Sequence, residues 1–217
     1  MKKLIIILAT MFGLNLTVSA CNTHDSRIEE SETEQPGESS DSEMDSGVTG
    51  KTLIVYYSFT NNSHIIATEL QKQTGADILR VEPADENVDY NDYSIGLPMM
   101  NLIKAHPDDP ASYPAIKTAA GDLSDYGNVI VVAPLWWNNM AAPLQTFLFK
   151  YGAEMEGKHI GLIVSSGESS IEGVEADVKR LVPKGKYLNP SLWILRSRTN
   201  QCNVLIEEWL KTIRWEK

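Results

Sequence analysis

Three clusters of small polar or aromatic side chains interrupt the apolar stretches of this sequence, at residues 58–63, 134–139 and 165–169. The first cluster, SFTNNS, places hydroxyl and amide groups between an apolar run and the start of a helical pattern. Backbone N–H groups at a helix N-terminus, together with the helix dipole, form a binding site for anions. The first cluster therefore predicts an anion site, and the sequence that follows it is typical of one nucleotide-binding domain.

Strands and helices alternate around these clusters. Apolar runs precede the three clusters, at 53–57, 128–133 and 159–164, and shorter runs at 77–81 and 192–195 predict two more strands. Continuous apolar runs are typical of parallel strands that are covered on both faces, and apolar residues at helical spacing follow them. The pattern predicts an α/β fold with helices on both faces of a parallel sheet. Because ligands bind outside the carboxyl ends of such strands, the three clusters should converge on one rim.

The connection from residue 87 to residue 124 is the least regular part of the chain. Four prolines interrupt it, and only 99–105 has the character of a helix. A connection of this length inside a domain is usually functional or poorly ordered. After the third cluster, the pattern SSIE at 169–172 is that of a capping box and predicts the start of a helix.

The first 20 residues have the composition of a targeting segment. A basic start at Met1–Lys3 and an apolar run over 4–16 are typical of a secretory signal peptide. The sequence VSAC, which ends at Cys21, resembles a bacterial lipobox, and this resemblance implies cleavage before Cys21 and a lipid on its sulfur. The prediction is a lipoprotein signal peptide over 1–20. An ordinary signal peptide with a chance cysteine is the alternative.

Residues 21–50 predict a tether rather than a fold. From Asn22 to Gly50 the sequence holds nine acidic residues and a single basic one, with serine, glycine and proline between them. Such a segment cannot bury enough apolar surface to offset its ordering entropy, so an acidic, disordered tether is expected. A plain solvated tail is the alternative. The remaining 51–217 predicts one domain of ordinary size.

Charge and residue content disfavour several function classes. The formal charge is −10, yet 51–217 holds 16 basic and 20 acidic residues, and this mild acidity argues against a nucleic-acid partner. If Cys21 is acylated, Cys202 has no disulfide partner and is expected to be a packing residue with an inert thiol. No cluster has metal-ligand spacing and no serine occupies a nucleophile elbow, so we predict neither a metal site nor a catalytic side chain.

Three stretches of the sequence, one around each polar cluster, together resemble the flavodoxin family. The resemblance is to its short-sequence branch, which has a Trp-Trp second loop. YYSFTNNSH is similar to the tyrosine-rich strand and phosphate loop of that family, PLWWNNMAAPLQTFL to its second loop and helix, and GKHIGLIVSSGESS to its third loop. Three motifs in the right order are more specific than any one of them. The resemblance implies a flavodoxin-like, doubly wound, five-stranded parallel sheet of strand order 2-1-3-4-5 over 51–217, and flavin mononucleotide (FMN) as the cofactor.

The resemblance also implies site residues. Five residues of the phosphate loop would contact the FMN phosphate: Ser58, Thr60, Asn62, Ser63 and His64. Asn61 lies within the same loop and is also expected at the site. The second and third loops would contact the isoalloxazine ring through residues 134–138 and 166–168, which include Pro134, Trp136, Trp137, Asn138, Ser166, Gly167 and Glu168. The alternatives are that the tryptophans belong to the core or to a dimer interface, and that His64 is a surface residue.

Three residues depart from the family pattern, and each stands where the family has glycine. If the position of Asn61 requires a positive φ, asparagine is the least unfavourable replacement for glycine. Asn138 would narrow the flavin slot. Glu168 would place a carboxylate near the ring, where it would disfavour a reduced, anionic flavin. These changes would alter the redox potential or weaken flavin binding.

The leading functional hypothesis is a membrane-tethered FMN protein that transfers electrons. We expect redox partner proteins or a small-molecule electron acceptor, a membrane contact through the lipid on Cys21, and a bacterial cell-envelope location with the domain outside the cytoplasm. One alternative is a reductase that passes hydride from NADH or NADPH to a quinone or similar acceptor, which requires room beside the flavin shaped by 87–124. The other is a binding lipoprotein that keeps the fold without flavin.

Overall fold

A parallel β-sheet forms the centre of the computed structural model, which describes residues 50–90 and 92–213. The predicted signal peptide, the lipid on Cys21 and the predicted tether over 21–49 lie outside the described residues. Among those described, no helix is long and apolar enough to cross a membrane.

The sheet contains seven strands. Six of them occupy five positions across the sheet, and the seventh, β4, lies outside this order. The spatial order is β2-β1-β3-β5-β6, and β7 continues the last position beside the C-terminal half of β5. β4 forms a short antiparallel hairpin with the end of β3. The strands are β1 (Thr52–Tyr56), β2 (Asp77–Arg80), β3 (Asn128–Trp136), β4 (Asn139–Met140), β5 (His159–Ser166), β6 (Lys186–Tyr187) and β7 (Leu192–Leu195).

This arrangement confirms the predicted strand order 2-1-3-4-5, with the fifth strand in two pieces. Lys186 pairs with His159 at the start of β5, and Leu195 pairs with Ser166 at its end. The sequence analysis predicted the second piece, at 192–195, and did not identify β6 or the β4 hairpin. Both missed elements are two residues long, and so short a strand has too few side chains to show a period.

Alternate side chains of β1 point to opposite faces of the sheet and enter separate cores. Leu53 and Val55 join one buried cluster, and Ile54 and Tyr56 join the other. This is the two-residue period of a strand with both faces covered. The continuous apolar runs at β1, β3 and β5 are therefore explained by burial on two sides, as predicted from the sequence.

Five helices cover these two faces. α1 and α5 pack on the face of Ile54, whereas α2, α3 and α4 pack on the face of Val55. Gly75 ends α1 in the left-handed conformation, with φ 68°, and its backbone N–H donates to the carbonyl of Gln71. The helices are α1 (Asn62–Thr74), α2 (Tyr93–Ala105), α3 (Ala142–Tyr151), α4 (Glu172–Leu181) and α5 (Cys202–Thr212).

Two helix starts differ from the sequence prediction. α2 begins at Tyr93 rather than near residue 99 and contains Pro98, because Asp92 caps it through the backbone N–H of Ser94 and its buried residues pack into the core. The capping box at 169–172 does not form. The hydroxyl of Ser170 instead bonds the carboxylate of Glu172, and α4 starts at Glu172 without a side-chain cap.

The core under α1 allows a direct test of the fold. Leu70 is fully buried against the Ile54 face, so Leu70→Ala should lower the free energy of unfolding by about 2–5 kcal/mol. Ile65 lies on the same helix but is 43% exposed, so Ile65→Ala should cost less than about 1 kcal/mol. Urea denaturation of both variants measures the difference, and equal losses would contradict the assigned orientation of α1.

Candidate functional site

The three polar loops meet at the carboxyl rim of the sheet, as the sequence analysis predicted. They line one open cleft with a volume of about 120 Å³. The predicted site residues that line it are Ser58, Thr60, Asn62, Ser63, Pro134, Trp136, Ser166 and Gly167. Five other predicted residues do not line it: Asn61, His64, Trp137, Asn138 and Glu168. Of the other residues that line the cleft, Leu135 lies within the predicted range 134–138, and Phe59, Ser165 and Arg196 were not predicted.

The loop between β1 and α1 forms the floor of this cleft. Asn61 has φ 70°, and its carbonyl accepts the first hydrogen bond of α1 from the N–H of Ile65. The condition under which asparagine was expected to replace glycine here, a positive φ, is met. Asparagine tolerates the left-handed region better than other side chains that carry a Cβ, so the loop keeps a glycine-like turn without glycine.

Two hydroxyl groups in this loop are buried without a partner. The side-chain oxygens of Ser58 and Ser63 have no hydrogen bond among the described residues, and both residues line the cleft. Ser58 is 5% exposed and Ser63 is 2% exposed. Buried polar groups in native proteins are nearly always paired, so an unpaired pair at a helix N-terminus indicates a ligand that accepts hydrogen bonds.

His64 lies beside the loop rather than in the cleft. Its Nδ1 is 2.8 Å from the hydroxyl of Tyr56, and the two rings lie at a tilt with their centroids 5.7 Å apart. Burial raises the pKa of Tyr56, which keeps the phenol neutral. The contact orients the imidazole but does not bring it to the cleft.

The paired tryptophans occupy a hairpin between β3 and β4. Trp137 and Asn138 are its two turn residues, and both have positive φ, 45° and 63°. Two-residue turns with positive φ at both positions match the twist of the flanking strands. The turn explains why asparagine can replace glycine at 138. Asn138 is exposed and does not line the cleft, and its effect on the flavin slot stays a prediction.

The turn sends the two indole rings to different places. Trp136 lines the cleft and is 9% exposed, with edge-on contacts to Tyr57 and Phe59 at centroid distances of 5.5 and 6.1 Å. Trp137 lies against Gly96 of α2, where an added Cβ would approach its ring to 2.1 Å. Only Trp136 is therefore placed to contact a ligand in the cleft.

Helix α4 holds this hairpin in position. The buried carboxylate of Asp177 accepts hydrogen bonds from the N–H of Met140 at 2.9 Å and from the side-chain amide of Asn139 at 3.2 Å. At Gly173, an added Cβ would lie 1.7 Å from the carbonyl oxygen of Asn138. The absence of a side chain at Gly173 allows the turn to rest directly on the helix.

The third loop is braced by the last strand. Trp193 of β7 donates from its indole N–H to the hydroxyl of Ser166 at 2.7 Å, and that hydroxyl donates to the carbonyl of Ser169 at 3.1 Å. Ser166 therefore lines the cleft with its hydroxyl already engaged. Gly167 lies at the exposed edge of the cleft, and Glu168 is exposed beyond it.

Arg196 is the one charged residue among the described residues that line the cleft. It follows Leu195, which pairs with Ser166, and this register brings the end of β7 to the same rim as the three loops. The three clusters singled out in the sequence follow the apolar runs of β1, β3 and β5, whereas Arg196 follows β7. The same rule of converging carboxyl ends, applied to the last strand, would have found Arg196.

A larger pocket adjoins the cleft on the side of β2. Its volume is about 330 Å³, and it shares Ser58 and Phe59 with the cleft. The guanidinium of Arg80 donates to the carbonyl of Ser58 at 3.3 Å, so the wall between the two cavities is tied to the sheet. The irregular 87–124 connection contributes to its lining, and the remaining lining residues include Tyr57, Arg80, Glu82, Val88, Tyr90 and Lys117.

Cys202 takes no part in either cavity. It is buried at the start of α5 in the Ile54 core, and burial raises the pKa of its thiol. This agrees with the predicted packing role, because a protonated, buried thiol is unreactive. Among the described residues, no three His, Cys, Asp or Glu side chains gather as metal ligands.

The fold and the cleft define a doubly wound α/β domain with a polar cleft at the carboxyl rim of its sheet. The sequence profile of the flavodoxin family matches residues 51–213, about three quarters of the chain. This protein belongs to the flavodoxin family, and the resemblance noted in the sequence is confirmed.

Solved structures agree with this assignment. The chain is similar to a protein from Bacteroides eggerthii described as a flavoprotein, with 25% identity, a TM-score of 0.59, and coverage of 76% of this chain and 98% of that chain. A flavoprotein from Lactobacillus acidophilus in complex with FMN has 16% identity, a TM-score of 0.56, and coverage of 74% of this chain and 99% of that chain. The comparison with curated proteins gave no match.

The contact between Gly173 and the tryptophan hairpin gives a second test. Gly173→Ala should lower the free energy of unfolding by about 1–3 kcal/mol, because the added methyl group must displace the carbonyl of Asn138. Gly167→Ala is the matched control: no atom lies within 4 Å of its added Cβ. That variant should leave stability unchanged or raise it by about 0.4–1 kcal/mol. Thermal and urea unfolding of both variants measure the sign, and a stabilising Gly173→Ala would show that the hairpin does not rest on α4.

Proposed function

We propose that this protein binds FMN in the cleft and transfers electrons through it. The observation that carries the proposal is the pair of buried, unpartnered hydroxyls of Ser58 and Ser63 at the start of α1. The FMN complex of the Lactobacillus acidophilus protein, which shares this fold, supports the same cofactor. FMN, when bound, accepts and releases one or two electrons, so the protein has no need of a catalytic side chain of its own.

The phosphate end of FMN fits the floor of the cleft. The hydroxyls of Ser58 and Ser63 can each donate a hydrogen bond, and the free N–H groups of the first turn of α1 lie beside them. The side-chain amide of Asn62 donates to the hydroxyl of Thr60 at 3.1 Å, and both residues line the cleft. These groups are neutral donors, and a phosphate accepts hydrogen bonds from all of them.

The ring end fits the upper part of the cleft. Trp136 provides an indole held edge-on by Tyr57 and Phe59, and Gly167 leaves the opposite edge without a side chain. The cleft has a volume of about 120 Å³. Pockets that enclose a small ligand usually have about 300–1,000 Å³. The ring would therefore extend past the cleft toward solvent. An exposed ring edge suits electron exchange with a partner protein.

The carrier role is supported by the motifs of the sequence. The sequence contains no second dinucleotide-binding motif, so electrons would arrive from a redox partner protein or a small acceptor that approaches the exposed ring. No nucleic-acid partner is proposed, since the domain is mildly acidic. Glu168, exposed at the edge of the third loop, would disfavour added negative charge on the ring.

We also propose a tethered location for this carrier. The support is the sequence alone: the basic start, the apolar run and Cys21 in a lipobox-like context. A diacylated or triacylated cysteine would anchor the domain stably at a membrane of the bacterial envelope, outside the cytoplasm, and the acidic segment before residue 50 would hold the domain away from anionic headgroups. Metabolic labelling with a fatty-acid analogue tests this, with Cys21→Ser as the control that should carry no label.

The purified full chain tests the cofactor. It should be yellow, or become so with added FMN, with an absorption spectrum of bound flavin. Ser58→Ala and Ser63→Ala should each weaken FMN about 10- to 150-fold, because each removes a hydrogen bond to a charged phosphate. Ser170→Ala, which is exposed and outside the cleft, should leave the affinity unchanged.

A wild-type protein that binds no flavin at saturating FMN would overturn the proposal. In that case the remaining candidate is a binding lipoprotein that keeps the flavodoxin fold for another anionic ligand. Loss of folding in the serine variants is checked by thermal unfolding, and both substitutions remove only an oxygen atom that has no partner among the described residues.

A reductase is the second candidate function, and the pocket of about 330 Å³ beside the cleft favours it. The sequence analysis required room beside the flavin shaped by residues 87–124, and Val88, Tyr90 and Lys117 of that connection line this pocket. Burial raises the pKa of Tyr57 and of Tyr90, so both phenols remain neutral there and able to donate hydrogen bonds to an acceptor such as a quinone.

Filling the pocket separates the two functions. If the protein is a reductase, oxidation of NADH or NADPH with a quinone should be rapid, and Val88→Trp should reduce it at least tenfold without changing the bound-flavin spectrum. Ala119→Trp, on an exposed residue outside the pocket, is the control and should have no effect. If the wild type oxidises NADH or NADPH slowly and Val88→Trp does not change that rate, the result would contradict the reductase function and favour the carrier role.

A further inference from the structure

We propose that Arg196 pairs with the phosphate of the bound flavin and makes the site select FMN over riboflavin. This inference rests on the proposed function, because it concerns the same cleft. Arg196 would supply the positive charge that the phosphate loop lacks, because residues 58–63 contain no lysine or arginine.

The register of the last strand places Arg196 at the cleft. Leu195 is the partner of Ser166 at the carboxyl end of the sheet, and Arg196 is the next residue. It begins a short 3₁₀ helix, Arg196–Gln201, which packs against α1. Arg196 lines the same cleft as Ser58, Thr60 and Ser63.

The charge of the cleft makes a phosphate the partner that this arginine fits. The other residues that line it are neutral, and no carboxylate is among them. Among the described residues, the guanidinium of Arg196 has no ion pair or side-chain hydrogen bond, whereas Arg180 pairs with Asp177 and Arg198 bonds the side-chain oxygen of Gln201. An arginine of this kind presents a planar set of donors that matches the oxygens of a phosphate.

The two unpartnered hydroxyls give independent support for a ligand at this position. Ser58 and Ser63 lie in the same cleft, nine-tenths buried or more, with donors that the protein does not satisfy. Without Arg196, the two negative charges of a phosphate monoester would face only neutral donors and the partial positive charge of a helix N-terminus. A guanidinium at the rim adds a full charge of opposite sign.

Comparing FMN with riboflavin isolates this contact, because the two ligands differ only in the phosphate. For Arg196→Gln in the purified full chain, the dissociation constant for FMN should rise about tenfold or more at low salt, as expected for loss of a charge-assisted hydrogen bond. Riboflavin affinity should change less than twofold. Arg196→Lys should restore part of the FMN affinity, since lysine keeps the charge but not the planar donors.

Arg198→Gln is the matched control. It makes the same change of charge two residues away, in the same 3₁₀ helix, at an exposed residue that does not line the cleft. It should leave both affinities unchanged. Because Arg196 is exposed, raising the salt concentration should narrow the difference between wild type and Arg196→Gln.

Two results would overturn the assignment. Equal losses of FMN and riboflavin affinity in Arg196→Gln would place the arginine against the flavin ring instead of the phosphate. Unchanged FMN affinity would show that the arginine contacts neither. Thermal unfolding of the unliganded variant, expected to match the wild type, excludes a folding defect as the cause of a loss.

A protein that binds neither flavin would contradict the proposed function, and inorganic phosphate would then decide the role of Arg196. Titration of the full chain with phosphate, followed by NMR of the backbone amides of residues 58–64, should shift those signals in the wild type and in Arg198→Gln, but not in Arg196→Gln. Equal shifts in all three proteins, or none in the wild type, would reject Arg196 as a phosphate residue.

Discussion

The backbone ladder that joins β1, β3 and β5 in parallel is the interaction on which the candidate site depends. It aligns Tyr56 with Val132 and Pro134 with Ser165, so all three loops begin at the same level of the sheet. Apolar side chains on both faces keep this ladder dry and rigid. Because the sheet fixes where each loop starts, the loops need only short local devices to shape the cleft.

Each loop uses a different device. The phosphate loop turns at Asn61 in the left-handed region, the tryptophan hairpin rests on α4 through Gly173 and Asp177, and the third loop is tied to β7 through Ser166. The second and third loops rely on contacts with a neighbouring element, whereas the phosphate loop turns through its own backbone conformation. The result is a cleft whose walls are held by the sheet and in which the hydroxyls of Ser58 and Ser63 have no partner among the described residues.

The chemistry of the cleft is that of a binding site whose reactivity comes from its ligand. Its hydroxyl and amide donors are neutral, and its aromatic residues are Phe59 and Trp136. Arg196 contributes the one charge among the described residues that line it. Such a site can hold a phosphate and orient a ring, which are the two parts of the proposed FMN cofactor, and the flavin would supply the electron transfer. The neighbouring pocket, on the other side of Ser58 and Phe59, is where a carrier and a reductase of this family would differ.

The sequence by itself determined the parallel sheet and the convergence of the three loops at its carboxyl rim. Buried parallel strands produce continuous apolar runs, and those runs are long enough to be read at β1, β3 and β5. The positive φ at Asn61 could also be anticipated, because few residues other than asparagine replace glycine there. The family resemblance added the strand order and the flavin.

Only the tertiary structure decided which side chains reach the cleft. Trp136 and Trp137 are adjacent in the sequence, yet a turn with two positive φ values sends one to the cleft and the other to α2. His64 is directed to Tyr56, and Glu168 stays outside the cleft. Arg196 enters from a strand that ends 30 residues after the third loop begins, because Leu195 pairs with Ser166. Side-chain direction and strand register depend on contacts between distant residues, and no local pattern in the chain records them.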